Sequence, residues 1–292
     1  MVAEPVPRRL ALIVHPTRPV DRALATLTGW AAEHGVEVVQ LAVDGKRHRE
    51  AAAPGTLGEG DLVVAVGGDG TVLASLRAAA AQGAAVLGVA CGSLGALTAV
   101  AADGIAGALD RVWAGDWTAR SLPALGIGPA DAPSDWAAND FVVVRRGAGQ
   151  LVADIAVDDE LYARLAGDGL VVATAMGSSA YSMAAGGPVL AAGTLAFVCT
   201  PLAMHGGSAP PLVVPADAVV TIEVSPGFGG FDIEIDGRKR EGEERRLRLA
   251  LHPDKLTLVT FEDSGRGLTG LRKRRLITDS PRVLARDDRA RG

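Results

Sequence analysis

Hydrophobic positions in the first third of the chain come as short runs: Leu10 to Val14, ending at His15-Pro16, then Val36 to Leu41, Leu62 to Val66 and Val86 to Val89, with Gly, Asp or Pro close to their ends. Runs of this length, interrupted by polar residues only at Glu37 and Gln40, read as buried strands. Between them lie helix-compatible segments: Pro19 through His34, with Gly35 placed to end it, an Ala-rich stretch from Thr71 to about Gln82, and another from about Asp103 to Ala114. Strand alternating with helix predicts a Rossmann-like α/β domain around a parallel sheet.

Beyond about Trp117 the pattern changes to short β-compatible runs separated by turn residues. The candidates are Leu122–Ile127, Asp140–Arg145, Leu151–Val157, Leu170–Thr174, Leu195–Val198, Ala218–Val224, Phe231–Ile235 and Leu256–Phe261. They predict a β-rich, largely antiparallel second domain. The expected organisation is an α/β domain over 1–117, a β-rich domain over 118–265, and a final segment, 266–292, ending in a solvated tail from Asp287.

Composition narrows the partners. Over 292 residues, 29 Lys and Arg against 34 Asp and Glu leave a net charge of -5, which provides no overall cationic field for a nucleic-acid backbone. The basic run Arg272-Lys273-Arg274-Arg275 reads as a solvated face. The two cysteines, Cys91 and Cys199, make neither a disulfide framework nor a metal-ligand spacing, and read as buried residues of a reducing compartment. No apolar run approaches the roughly 18–20 residues of a membrane span, and Met1 to Arg9 lacks a signal-peptide apolar core. A soluble cytoplasmic protein without membrane contact is expected. The 37 glycines beside only 4% aromatic residues ask for a use.

One use follows the third strand, where Gly67-Gly68-Asp69-Gly70-Thr71 leads into a helix. Three glycines let backbone amides face a phosphate beside the positive end of a helix dipole. A carboxylate there repels phosphate but suits a base for an attacking hydroxyl or a ligand of Mg²⁺. Asp69 is therefore the candidate catalytic residue. Neither G-x-x-x-x-G-K-[ST] nor G-x-G-x-x-G occurs, which leaves a phosphotransferase without a P-loop lysine.

A second motif runs from Gly167-Asp168-Gly169 through the strand Leu170 to Thr174 into Gly177-Ser178-Ser179-Ala180-Tyr181-Ser182, and closes at Gly186-Gly187-Pro188. The elbow offers hydroxyls, amides and one ring, a set suited to a ribose and a base. A Ser-rich cap around a packed Tyr is the alternative.

The stretch 168–188 closely resembles the signature of NAD kinases, and Gly67 to Thr71 stands at the expected distance before it. Leu94-Gly95-Ala96-Leu97-Thr98, Asn139-Asp140, the loop from His205 to Val214 and Asp236-Gly237-Arg238 match further family segments in order. The resemblance covers about residues 10–276. It implies a two-domain fold whose final segment returns to the first domain, and transfer of a phosphoryl group from ATP or polyphosphate, with Mg²⁺, to the 2′-hydroxyl of the adenosine ribose of NAD. It further implies that Asp69 takes the hydroxyl proton and that Gly67, Gly68, Gly70 and Thr71 hold phosphate. Asn139 and Asp140 would bond adenine and ribose, Asp168 the dinucleotide, and Ser179, Ala180 and Tyr181 would line the base pocket. Ser178, Ser182 and Arg238 complete the candidate nucleotide-binding set, and a homodimer or homotetramer is implied.

Several positions depart from the family pattern. Ala90 stands for Asn, Ala96 for Phe, Asp140 for Glu, Ala175-Met176 for Pro-Thr, and Pro210 for a phosphate-binding Arg. Arg238, Arg145, Arg146, Arg272 and Arg274 are candidates to restore that charge. The departures keep two alternatives open: a kinase of another hydroxylated acceptor, and a dinucleotide-binding protein without turnover.

Overall fold

A computed structural model describes residues 6–43, 49–129, 132–242 and 244–261, and of the C-terminal stretch residues 272, 277–283 and 286. Lys273 to Arg275, the tail from Asp287 and most of the segment expected to return to the first domain lie outside the described residues.

The chain begins β1 (Arg9–Val14), α1 (Asp21–His34), β2 (Glu37–Gln40), β3 (Ala53–Pro54), β4 (Leu62–Gly67), α2 (Asp69–Ala79), β5 (Ala85–Ala90), β6 (Val100–Ala101) and α3 (Ile105–Trp113). Strands β3-β2-β1-β4-β5 lie side by side and parallel, as the alternation of apolar runs and helices predicts. Every residue of β4 is buried, because helices cover both faces. Leu10, Leu12 and Val64 pack towards α1 and α3 through Leu27, Trp30, Leu109 and Val112. Ala11, Val63 and Ala65 pack the other way, onto Val72 and Leu76 of α2.

Two helix starts differ from the expectation. Helix α1 begins at Asp21, two residues after Pro19, with an acidic first turn that complements the helix dipole. Helix α2 begins at Asp69 and ends at Ala79, so the candidate carboxylate belongs to the first turn itself.

The chain continues with β7 (Thr118–Ile127), β8 (Asp135–Ala137), β9 (Asp140–Arg145), β10 (Leu151–Val157), β11 (Glu160–Gly167), β12 (Gly169–Thr174), α4 (Tyr181–Ala184), β13 (Ala196–Leu202), β14 (Leu212–Pro215), β15 (Val219–Ser225), β16 (Phe231–Ile235), β17 (Arg238–Arg240) and β18 (Arg246–Thr260). Strands β14-β13-β12-β9-β16-β17 form an antiparallel sheet. Its inner face, including Phe141, Leu170, Val172 and Phe197, packs on Leu151, Ile155, Ile222 and Leu249 of the other sheet. This is the β-rich architecture expected, built as two sheets face to face.

Sequence pattern does not show the short strands β3, β6, β8, β14 and β17 or the longer β11, and it understates β7, β13 and β18. Strands β10 and β11 are joined by Asp158 and Asp159, both at positive φ (49° and 66°), the backbone of a two-residue hairpin turn. Strand β18 was expected only from Leu256, yet it starts at Arg246, and Arg246 to Leu251 alternates outward and inward positions. Pro253 sits where pairing with β7 shifts register, between His252 and Leu256, so the proline removes no ladder hydrogen bond. The upstream part of β18 pairs with β15, while Thr257 and Leu258 pair in parallel with Ala85 and Val86 of β5. One continuous sheet therefore runs from the α/β part into the β-rich part.

Candidate active site

The phosphate-loop candidate is built by the end of β4 and the start of α2. Gly67 and Gly68 are buried, Asp69 is half-buried, Gly70 is exposed and Thr71 is buried. Gly68 is extended and caps α2 with its carbonyl, which accepts the amides of Thr71 (2.8 Å) and Val72 (3.0 Å). The Asp69 carboxylate is fixed from across the loop: Ala96 N–H donates to Oδ2 at 2.9 Å and Leu97 N–H to Oδ1 at 3.0 Å. The 94–98 turn is itself held by Gly95 N–H donating to Thr98 Oγ1 at 2.8 Å. A Cβ at Gly95 would lie 2.0 Å from Asp69 Oδ1, so only glycine admits the carboxylate there. The sequence pattern of Leu94 to Thr98 carries no signal of this holding role, which arises only when the turn meets Asp69.

The second motif folds against the Asn139-Asp140 pair. Thr174 N–H donates to Asn139 O at 2.9 Å, Thr174 Oγ1 donates to Ala138 O at 2.8 Å, and Gly177 packs so closely that a Cβ would meet Asn139 O at 2.0 Å. From the far side Asp236 accepts three consecutive amides: Ala138 N–H on Oδ2 (3.1 Å), Asn139 N–H and Asp140 N–H on Oδ1 (2.7 and 3.2 Å). Asp236 has φ of 50° and Gly237 of 72°, the Asp-Gly turn joining β16 to β17. Arg238 opens β17 half-buried.

The elbow divides its hydroxyls. Ser178 is fully buried; its Oγ donates to Ala175 O at 2.7 Å and accepts Leu190 N–H at 2.9 Å. Ser182 is fully buried on Thr200 Oγ1 at 2.8 Å. Both hydroxyls therefore hold the turn, because each already has a partner inside the fold. The accessible side consists of half-buried Ser179 and exposed Ala180 and Tyr181, the ring being 42% exposed.

Charge around the elbow is acidic. Burial, reinforced by Asp236 and Glu234, pushes the Asp140 carboxyl up to about 7. Burial also raises Asp236, against the three amides and Arg77 that lower it. Asp168 goes the other way, because Arg145 Nε donates to it at 2.5 Å. Arg145 is thus engaged with Asp168, Arg146 with Asp232 at 2.6 Å, and Arg272 with Asp279 at 2.5 Å. Arg274 lies outside the described residues.

The two motifs meet through α2. Ala138 and Met176 pack in the same apolar cluster as Val72 and Leu76, which gives Met176 a core role at a position where the resemblance has Thr. Arg77 of α2 donates from Nη1 to Ile235 O at 3.2 Å, next to Asp236. Neither cysteine takes part in chemistry of this kind: both are unpaired and buried, and burial pushes the Cys199 thiol up to about 12. No group of three or more His, Cys, Asp and Glu among the described residues could hold a metal ion. No helix among them is long and apolar enough to cross a membrane.

Comparison with known proteins agrees with this geometry. Residues 12–117 match the ATP-NAD kinase N-terminal domain, and residues 138–250 match the ATP-NAD kinase C-terminal domain. NAD kinase 1 of Streptomyces avermitilis is 39% identical over 107 residues, which is 36% of this chain and 30% of that protein. The NAD kinase of Porphyromonas gingivalis is 36% identical over 182 residues, 62% of this chain and 63% of that protein. The matched stretches thus span less than two thirds of these relatives. The fold is shared with yeast NADH kinase complexed with NADH, at TM-score 0.72 and 18% identity, covering 95% of this chain and 90% of that one. It is shared too with an NAD kinase from Archaeoglobus fulgidus in complex with ATP, at TM-score 0.69 and 22% identity, covering 92% and 100%. With both characteristic domains in order on one chain, and the Gly-Gly-Asp-Gly-Thr loop and the Ser-rich elbow folded against a common helix, the chain belongs to the NAD kinase family.

Proposed function

We propose that this chain transfers the terminal phosphoryl group of ATP, or of polyphosphate, to the 2′-hydroxyl of the adenosine ribose of NAD, giving NADP. The observation that carries this reading is the placement of Asp69: first in α2, behind two buried glycines, with both carboxylate oxygens accepting backbone amides. A carboxylate so fixed is a positioned base. The reaction balances simply: the 2′-oxygen forms a bond to phosphorus as its proton passes to Asp69, and the bridging oxygen leaves with ADP.

Gly67, Gly68, Gly70 and Thr71 would hold the donor's phosphates at the positive end of α2, with the Thr71 amide itself spent on Gly68 O. Asn139 and Asp140 would bond the acceptor's adenosine, with Ser179, Ala180 and Tyr181 beside the base. Asp168 and Arg238 lie on the same β-rich part and complete the dinucleotide side. Mg²⁺ fits as an ion carried on the donor's phosphates, where it would screen their charge; Asp69 is the carboxylate within the loop. The names of the relatives favour NAD over another acceptor. A homodimer or homotetramer working in the cytoplasm completes the reading.

A coupled assay for NADP with Mg-ATP tests it. Turnover that Asp69→Asn lowers by 10²-fold or more is expected, in line with the loss of a general base; folded protein without turnover above that variant refutes it.

A further inference from the structure

Arg18 lies outside every motif discussed so far, yet its side chain reaches the phosphate loop. A Cβ on Gly68 would stand 2.9 Å from Arg18 Nη1, and one on Gly92 would stand 3.4 Å from the same atom. The guanidinium therefore rests between two glycine turns, the one ending β4 and the one ending β5, so close to Gly68 that a Cβ there would have to displace it.

The arm is fixed at its root. His15 Nδ1 accepts the amides of Thr17 (3.2 Å) and Arg18 (3.1 Å), which shapes the turn after β1. Arg49 Nη1 donates to Arg18 O at 2.9 Å, and Arg49 is itself paired with Asp21 at 3.1 Å. The charged end is left over. Arg145, Arg146 and Arg240 each engage a carboxylate, whereas among the described residues no carboxylate or carbonyl takes the guanidinium of Arg18, which is exposed. The loop's own carboxylate, Asp69, is already taken by the amides of Ala96 and Leu97. A planar fork of N–H donors without a counter-ion, set over backbone amides at a helix start, matches a phosphoryl group bound from two sides.

We infer that Arg18 contacts the terminal phosphoryl group of the donor from the side opposite the Gly67 to Thr71 amides, and neutralises charge on it during transfer. This rests on the reading of the loop as the donor site. Arg18 would then be a catalytic residue and Asp21–Arg49 a support for its turn.

The test compares wild type with Arg18→Ala and Arg18→Lys. Calorimetry with Mg-ATP, with tripolyphosphate and, separately, with NAD is set beside steady-state NADP formation, and thermal melts check the fold. Arg18→Ala is expected to raise the donor Kd about tenfold or more and lower kcat by about 10²–10³-fold, the scale for loss of one preorganised charge-stabilising donor. NAD affinity should stay within twofold, and Lys should recover only part of the loss, because it cannot present a fork. A donor Kd equal to wild type with unchanged kcat overturns the inference, as does an equal loss of donor and NAD affinity. Should wild type form no NADP, the proposed activity fails but the phosphate titrations still decide: equal donor Kd in wild type and Arg18→Ala, or no donor binding by either, overturns the assignment.

Discussion

Removing the Asp236 carboxylate perturbs the acceptor side at one point. Asp236→Ala leaves the amides of Ala138, Asn139 and Asp140 without their acceptor. Hydrogen bonds to a charged group contribute about 1.5–3 kcal/mol each, so three set a ceiling between about 4.5 and 9 kcal/mol. Three effects move the net value. The site is half-buried, so water can reach some of the freed amides. The Asp140 carboxyl loses a repelling neighbour. Alanine at a φ of 50° adds about 1 kcal/mol of its own. A net loss of about 2–4 kcal/mol is expected in urea unfolding at pH 7, with the denaturant slope unchanged, together with a tenfold or larger rise in the NAD Kd. Asp236→Asn separates bonding from backbone strain. Asparagine tolerates this φ and its carbonyl replaces Oδ1, which serves Asn139 and Asp140, while its NH₂ faces the Ala138 amide; about half the loss should remain. Stability of Asp236→Ala within about 0.5 kcal/mol of wild type, with NAD affinity unchanged, would refute the claim that Asp236 holds the Asn139-Asp140 loop.

Three further outcomes follow from the same geometry. Gly95→Ala should drive Asp69 from its two amides and cut NADP formation by about 10²-fold, on the scale of a displaced general base, while calorimetry shows NAD binding intact. Because the folded state raises Asp140 from 3.8 to about 7, the unfolded chain loses that proton first, so Asp140 lowers stability by about 2–4 kcal/mol as pH rises from about 4 to about 7; urea titrations should show a smaller slope in Asp140→Asn, the remainder belonging to Asp236, which burial also raises. If ribose hydroxyls donate to Asp140, the wild-type NAD Kd should also improve as pH rises through about 7. Burial lowers His15 and His252 below their usual 6.5, so the unfolded chain binds those protons first and stability drops as pH falls below about 6.5. In an Asp140→Asn background, melts between about pH 7.5 and 5.5 should show that drop, and a flat Tm would contradict it.

Local chemistry accounts for what could be read without a structure. Leu62 to Val66 declares a doubly covered strand because a buried parallel strand has no polar face to alternate with, and it is buried at every position. Gly67 to Thr71 declares a candidate phosphate turn because the missing Cβ atoms and the helix start lie within five consecutive residues. Asp236-Gly237 could be matched to a family turn, and both residues do take positive φ. In each case the cause and the effect share a short stretch of chain.

Other features depend on residues that meet only after folding. Ser178 and Ser182 look like ligand hydroxyls in the sequence, yet Leu190, Ala175 and Thr200 take them, and no local pattern reports those partners. Strand β18 hides behind Pro253, which is tolerated because the register shift falls at that point against β7. Arg18 is an ordinary surface arginine by its neighbours in sequence, and becomes part of the loop only because β1 and β4 are adjacent in the sheet. Backbone preference and side-chain type are local properties, so pattern alone lays out the two kinds of layer and the candidates for phosphoryl chemistry. Which carboxylates are held by amides, which hydroxyls stay available and which arginine reaches the phosphate loop are settled only by folding, since each depends on what another segment brings within about 3 Å.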